Sequence, residues 1–331
     1  MILIAIQKNH QQKMSKKMSK KMSEKKLKII YTISSLIIGV TVIFIAYSLV
    51  GQQSANIPAW KISYNGKEAY LVGNIPFGKG SYYPLSLKIE NIYSKCTAVV
   101  VTYNEIDVIK FNQAIFKAGS NSPGLKKELS PKVYKDLLAF SQKHNCDDFV
   151  NNRLEKTWVC AMNIKNFYPV SLLDQVTIVN FLAKNIMTPD LSIQKYFLKK
   201  KSTKKKKIIE IEPIIEYLAV LDSLPPDLYA LYTIDHMGLV FSQKEMYIDE
   251  MYSGKCDKLT DWYMRPLSSN PELIEIYQKL YYDRSKKFAP KILKIIKENK
   301  DTFIILDLEL LLGSNSIIEL LEKAGAKVEK L

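Results

Sequence analysis

The alternation of polar and apolar positions predicts a β-hairpin near the start of the folded part of the chain. Trp60–Tyr64 and Lys67–Val72 alternate on either side of Asn65-Gly66. Asn-Gly tolerates the positive φ angles that a two-residue type I′ turn requires, so the segment is typical of a hairpin. The second strand ends in Gly73, where the backbone leaves the sheet.

Further patterns predict strands separated by many helices. Continuous apolar runs are typical of strands buried on both faces; the predicted strands are Lys95–Tyr103, Ile208–Glu212, Thr302–Leu308 and a last edge strand, Ala326–Val328. Helical periodicity and start signals predict helices over 130–144, 147–163, 171–187, 189–199, 213–223, 227–264, 270–299 and 317–324. Interruptions are predicted at His236–Gly238 and Gly254 within 227–264, and Pro290 is predicted to divide or kink the longest helix. The order predicts an α/β or α+β domain with a mixed β-sheet that opens with the hairpin and carries a large helical insertion.

A long uncharged segment precedes the hairpin. Ile29 to Val50 contains no charged residue and is long enough to cross a bilayer as a transmembrane helix. A cleaved signal peptide is the alternative, but signal cores are shorter and no convincing cleavage site follows. The lysines of residues 1–28 place this tail in the cytoplasm by the positive-inside rule. We therefore expect a single-pass cell-membrane protein with a linker, 51–57, and an extracytoplasmic (periplasmic) domain, 58–331.

The positive charge of the chain is concentrated in two tracts. The formal net charge is +15 over 331 residues, while hydrophobic residues make up 47% and indicate a folded protein. Residues 1–28 contribute +8 and Lys199–Lys207 contributes +7, so the remainder is neutral. A general nucleic-acid-binding face is therefore not expected. The Lys199–Lys207 run is interpreted as a solvated loop, with binding to an anionic surface or polymer as the alternative.

Four cysteines follow the predicted span: Cys96, Cys146, Cys160 and Cys256. An even number in an exported domain is compatible with disulfides, and Cys146 with Cys160 is the pair closest in sequence. Their spacing fits no zinc-finger pattern, so a structural zinc site is not expected.

A series of short motifs extends from Trp60-Lys61 through Tyr70–Pro76 and Tyr83-Pro84-Leu85. Later segments in the series are Ala98–Val101, Thr188–Asp190, Glu210–Pro213, Glu216, Val220–Leu224, Arg284-Ser285, Asp307–Gly313 and Ser316–Ala324. In order and spacing, these segments resemble the TraB/GumN family, which includes PrgY-type and Tiki-type proteins. The resemblance covers roughly residues 58–331.

The resemblance implies a metal-dependent, peptidase-like hydrolytic site built on two Gly-x-x-His motifs with acidic and arginine residues. Gly73 is kept in the first motif, but Pro76 stands at its histidine position. In the second motif, Asp307 stands for the glycine and Leu310 for the histidine. A glutamate usual in the valine-rich strand falls at about Val101, whereas Glu212 and Arg284 are retained.

Loss of both histidines changes the expected chemistry. Imidazole is the usual neutral ligand of a catalytic transition metal and the usual general base near neutral pH. Proline and leucine offer no side-chain donor atom, and Glu212 with Arg284 can form a buried ion pair without holding a three-ligand metal site. That pair is either a residual polar site or a link between the late helix and the sheet.

We therefore expect a membrane-anchored domain that is catalytically inactive and acts by binding a peptide, another protein or its own copy. No cofactor and no nucleic acid are expected. The alternative is a divergent metal-dependent hydrolase that uses Glu212, Arg284 and unrecognised ligands, with a divalent transition metal as its cofactor.

Overall fold

The Asn65-Gly66 hairpin begins the central sheet, as predicted. Strand β1 (Ala59–Tyr64) pairs antiparallel with β2 (Lys67–Asn74). Asn65 and Gly66 have φ angles of 50° and 72°, as a type I′ turn requires at both central positions.

The computed structural model describes residues 55–104, 113–114, 117, 123–144, 150, 187–188, 191–242 and 244–331, without the side chains of 187–188, 239–241 and 244–247. Ser54–Leu331 forms one compact unit. The predicted span from Ile29 to Val50 and the candidate cysteine pair, Cys146 and Cys160, lie outside the described residues. Within the described ranges, no helix is long and apolar enough to cross a membrane.

The main sheet is mixed and has six strands in the order β6-β4-β7-β2-β1-β8. Its remaining strands are β4 (Ala98–Val101), β6 (Lys207–Glu210), β7 (Thr302–Asp307) and β8 (Lys327–Lys330). β6, β4, β7 and β2 run parallel, and β1 is antiparallel to β2 and β8. A separate two-stranded ladder joins β3 (Gly78–Lys79) to β5 (Met187–Thr188).

The helices of the described residues mostly lie between β4 and β7. In chain order they are α1 (Leu87–Lys95), α2 (Leu125–Glu128), α3 (Pro131–Lys143), α4 (Ile193–Leu198), α5 (Ile214–Asp222), α6 (Pro226–Ser242), α7 (Lys244–Met251), α8 (Asp257–Ser269), α9 (Ile274–Tyr277), α10 (Asp283–Glu298) and α11 (Ile317–Lys323). A π-helical turn, Gln278–Tyr282, connects α9 to α10. The predicted α/β class with a mixed sheet and several helices is therefore confirmed.

Both faces of the sheet are covered, which explains the continuous apolar strands. On β7, Phe303 and Ile305 belong to one buried cluster, and Ile304 and Leu306 belong to another. Because successive side chains of a strand point to opposite faces, each face of β7 needs its own apolar layer. One cluster includes residues of α1, α3, α4 and α8, and the other includes residues of α10 and α11.

Three local predictions need correction. The strand predicted over Lys95–Tyr103 is only Ala98–Val101, because α1 extends through Lys95 and the chain leaves the sheet after Val101. The helix predicted from 189 begins at Ile193, with Ser192 as its N-cap accepting from the Lys195 N–H. Pro290 does not divide α10, since it lies on the exposed side of the helix, where an unpaired carbonyl can be hydrated.

Candidate polar centre at the carboxyl edge of the parallel strands

The ends of the parallel strands bring four polar residues to one edge of the sheet. Asn74 and Asp307 are the last residues of β2 and β7 and are register partners. Thr102 directly follows β4, and Glu212 follows β6 by two residues. The backbone N–H of Glu212 donates to the carbonyl of Thr102 over 2.9 Å. In open α/β sheets, this carboxyl edge is where functional groups usually gather.

Arg284 enters this edge from α10 and pairs with Glu212. Its Nη2 and Nε donate to Oε2 of Glu212 over 2.8 and 3.1 Å. The exposed fractions of the two side chains are 5% for Arg284 and 0% for Glu212. The structure thus forms the buried pair that the sequence allowed, and it joins the late helix to the end of β6.

The rest of the Arg284 guanidinium is also engaged. Nη1 donates to the Leu280 carbonyl over 3.2 Å, and Nη2 lies 3.7 Å from Oδ2 of Asp307. The guanidinium carbon lies 4.7 Å from the ring centroid of Tyr217 and 5.4 Å from that of Phe288, within the range of cation–π contacts. Arg284 is therefore held by charge, by a helix carbonyl and by aromatic rings.

These contacts set the protonation of the centre. Burial acts to lower the pKa of Arg284, but the charges of Glu212 and Asp307 outweigh it, so that pKa lies above its ordinary value. Burial raises the pKa of Tyr217 to about 12, although the Arg284 charge acts in the opposite direction. The guanidinium therefore stays cationic and the Tyr217 phenol neutral near neutral pH.

Amide side chains extend the network toward α4. Nδ2 of Asn74 donates to Oδ1 of Asp307 over 3.4 Å, and Oδ1 of Asn74 accepts from the Gln194 backbone N–H over 3.1 Å. Nε2 of Gln194 donates to the Tyr103 carbonyl over 2.8 Å. The ends of β2, β4 and β7 are thereby linked to the first turn of α4.

A π-helical turn, Gln278–Tyr282, ends just before Arg284. Such turns occur mostly as single bulges, often at functional sites. Leu280 lies in this turn and supplies the carbonyl that accepts from Arg284. The irregular turn therefore contributes directly to the orientation of the guanidinium.

The family-site positions do not all converge on this centre. Gly73 precedes Asn74 in β2, and a Cβ there would lie 2.6 Å from Cδ1 of Leu308, so the glycine permits close packing. Pro76 is exposed beyond the end of β2. Leu310 is 1% exposed and belongs to the apolar cluster with α10 and α11. The two positions at which the resemblance implies histidine are thus a surface proline and a core leucine.

The residues of the centre do not fit a catalytic transition metal. Such a site needs about three protein ligands and an open position. Oε1 of Glu212 is buried without a hydrogen-bond partner among the described residues, but it supplies a single ligand. No group of three or more His, Cys, Asp or Glu side chains in the described ranges could hold a metal ion. The cation beside Glu212 is the guanidinium of Arg284.

Sequence reasoning did not anticipate several members of the centre. Asn74, Thr102 and Gln194 were not singled out, and Asp307 was considered only as a replacement for a glycine. Asn74, Thr102 and Asp307 lie at or near the ends of predicted strands. Because functional groups usually gather at the carboxyl ends of parallel strands, this position could have identified them. Gln194 and Tyr217 come from helices, so their approach depends on tertiary packing.

Two cysteines of the described residues are free thiols. Cys96 is buried and Cys256 is partly exposed. Burial raises the pKa of Cys96 to about 12, so this thiol is protonated near neutral pH.

The fold and this edge define an α/β protein with a buried, charged centre at the carboxyl ends of its parallel strands. Residues 58–330 match the TraB/PrgY/gumN family. Because the match covers most of the chain, the protein belongs to the TraB/PrgY/gumN family, and the resemblance seen in its motifs is confirmed. No curated protein and no solved structure matches the chain.

Proposed function

We propose that residues 58–331 form a TraB/PrgY/gumN domain that has lost hydrolytic chemistry and acts by binding a peptide or protein partner. The observation that carries this proposal is the Arg284–Glu212 pair, in which a guanidinium supplies the cation beside the one retained family carboxylate. Two charge-assisted hydrogen bonds from Arg284 occupy Oε2 of Glu212, so that oxygen has little remaining capacity to act as a base or a metal ligand.

The positions of the missing histidines support the same proposal. Pro76 has no donor atom, and Leu310 is enclosed by apolar side chains. Neither position offers a general base within reach of a bound substrate. A binding role requires only the fold, and the family match extends over residues 58–330.

One observation favours the alternative of a divergent metal-dependent hydrolase. Oε1 of Glu212 and the hydroxyl of Thr102 are both buried and lack partners among the described residues. A buried polar atom without a partner costs about 1–3 kcal/mol, so an ion or water at this position would be stabilising.

Metal analysis separates the two functions. The full-length protein is purified in detergent without chelator, and its transition-metal content is measured beside that of Glu212→Ala. The binding proposal expects no stoichiometric metal in either protein. Stoichiometric metal in the natural chain that disappears in Glu212→Ala would establish the hydrolase alternative instead.

We also propose that Ile29–Val50 anchors this domain in the cell membrane, with residues 51–331 on the extracytoplasmic side. The uncharged length of the segment and the lysines of residues 1–28 support this orientation. Protease added outside intact spheroplasts is expected to digest the domain. Protection of the domain until the cells are lysed would contradict the orientation.

A further inference from the structure

A groove lies beside the antiparallel edge of the sheet, away from the polar centre. It has a volume of about 360 Å³, and its lining includes Trp60, Cys256, Leu311, Leu312, Ile318 and Lys330. This volume is within the range of small-ligand sites. The four apolar side chains, from β1, the segment after β7 and α11, provide a hydrophobic surface.

Two polar donors stand side by side in this groove. Trp60 of β1 and Lys330 of β8 are register partners, and directly opposed residues of an antiparallel pair place their side chains on the same face. Both residues line the groove. An indole N–H and an ammonium therefore face the same space.

Lys330 has one hydrogen-bond partner within the described ranges, the Cys256 thiol, which leaves two of its three ammonium N–H groups for a ligand. Trp60 is 7% exposed, yet its indole N–H makes no hydrogen bond within the described ranges. A buried Trp N–H usually finds a partner. Lys330 forms no ion pair with a described residue; burial raises the pKa of the Cys256 thiol, and the charge and hydrogen bond of Lys330 oppose that rise.

The charges around the groove restrict the ligand. A carboxylate would pair with Lys330 and accept from Trp60, and charge-assisted hydrogen bonds of this kind are the stronger ones. Glu319 and Glu322 also line the groove, so a ligand with several negative charges would be repelled. The groove thus suits one carboxylate attached to an apolar group.

The neighbouring strand favours a peptide over a free acid. β8 is the last strand in the sheet order, and its only partner among the described strands is β1. The Leu331 N–H donates to the Ala59 carbonyl, so by antiparallel alternation Val328 and Lys330 direct their backbone groups outward. An extended peptide can pair with such an edge.

We propose that the groove binds the C-terminal residue of a peptide, with its carboxylate on Trp60 and Lys330 and its apolar side chain on Leu311, Leu312 and Ile318. This inference deepens the proposed peptide-binding function and rests on it. It assigns recognition to the antiparallel edge of the sheet, and it gives no role to the polar centre.

The test compares peptides that differ only at the terminus. Calorimetry with the full-length protein in detergent measures acetyl-Gly-Gly-Leu with a free carboxylate against the same peptide as its amide. The free acid is expected to bind about tenfold more tightly, as expected for one charge-assisted contact. Equal affinities, or no binding of the acid, would overturn the inference. Equal binding of acetyl-leucine alone would also overturn it, by assigning the groove to small carboxylates.

Variants of Lys330 and Trp60, with Lys327 as a control, test which side chains contact the peptide carboxylate. Lys330→Gln is expected to weaken the acid about tenfold and Lys330→Arg to restore most of the affinity, because the arginine keeps the charge. Lys327→Gln is the control, since Lys327 lies on the same strand but outside the groove and pairs with Glu329. Trp60→Phe keeps the aromatic ring and is expected to weaken binding about threefold. Equal effects of Lys327→Gln and Lys330→Gln would contradict the assignment.

Cys256 provides a second readout that does not depend on a variant folding. The acid peptide is expected to slow alkylation of Cys256 by iodoacetamide at about pH 9, where a thiol is partly ionised, while buried Cys96 stays unlabelled. Peptide binding with unchanged alkylation would place the peptide elsewhere. That result would overturn this inference and leave the proposed function, which is judged by metal content, intact.

Discussion

The polar centre and the Trp60–Lys330 groove lie on the same sheet, but they differ in whether their charged side chains are buried and paired. In the centre, Arg284 and Glu212 are almost fully buried and form an ion pair with one another. In the groove, Lys330 is exposed and the Trp60 N–H has no described partner. A buried pair that neutralises itself stabilises contacts within the fold, whereas an open donor pair is available to a ligand. The difference separates the buried polar centre from the surface that we propose for binding.

The polar edge of the parallel strands follows from the fold itself. The parallel strands still deliver Asn74, Thr102 and Asp307 to their carboxyl ends, because that arrangement follows from the topology. Within the described residues, the centre brings together no group of three or more His, Cys, Asp or Glu side chains that could hold a metal ion. Its remaining groups connect the strand ends to α4 and α10.

The largest expected effect comes from removing the cation of the centre. Arg284→Met leaves the carboxylate of Glu212 buried without its partner, which typically costs about 3–5 kcal/mol. Urea unfolding followed by circular dichroism should therefore show a large loss in the free energy of unfolding. A loss below about 1 kcal/mol would mean that Glu212 is neutral or hydrated and that the centre is not an ion pair.

An effect of intermediate size is expected at high pH. The pKa of Tyr217 is about 12 in the folded protein, against about 10 for a free tyrosine. A raised folded pKa means that its stabilisation is complete below about pH 10 and is lost as the pH rises toward 12. Urea midpoints should fall between pH 10 and 11, and less steeply in Tyr217→Phe. If the urea midpoint fell equally steeply with pH in the two proteins, the loss of stability at high pH would be assigned to other tyrosines.

The smallest effect is expected in the groove. Lys330→Gln removes an exposed charge with no ion pair in the described part of the chain, so the free energy of unfolding should change by less than about 0.5 kcal/mol. The same unfolding experiment used for Arg284→Met measures it. A destabilisation comparable to that of Arg284→Met would remove the distinction between the two regions.

Much of the fold could be predicted because its signals are local. Asn65-Gly66 fixes the hairpin through backbone sterics, and the apolar run at 302–308 indicates a strand covered on both faces. The extent of β4 was overestimated because Cys96, Thr102 and Tyr103 are compatible with a strand, whereas the helix continues through Lys95 and the strand ends at Val101. Pro290 was expected to interrupt a helix, but an exposed proline costs less than the apolar face of α10 gains by packing.

The candidate site could be predicted only in part. Glu212 and Arg284 were identified through motif order, and their pairing is observed. The approach of Asp307, Gln194 and Tyr217 depends on strand order and helix packing, which no local pattern specifies. The Trp60–Lys330 groove depends on the pairing of the first and last strands, separated by most of the chain, and sequence spacing gives no sign of it.

The central claim is that Arg284 replaces an external cation as the partner of Glu212. A double-mutant cycle measures this directly, with urea unfolding of the natural protein, Glu212→Leu, Arg284→Met and the double variant. We predict that the double variant loses at least about 2 kcal/mol less than the sum of the single losses, because it leaves no buried charge unpaired. Losses that add to within about 0.5 kcal/mol would show that the two residues are not coupled, which would contradict the account.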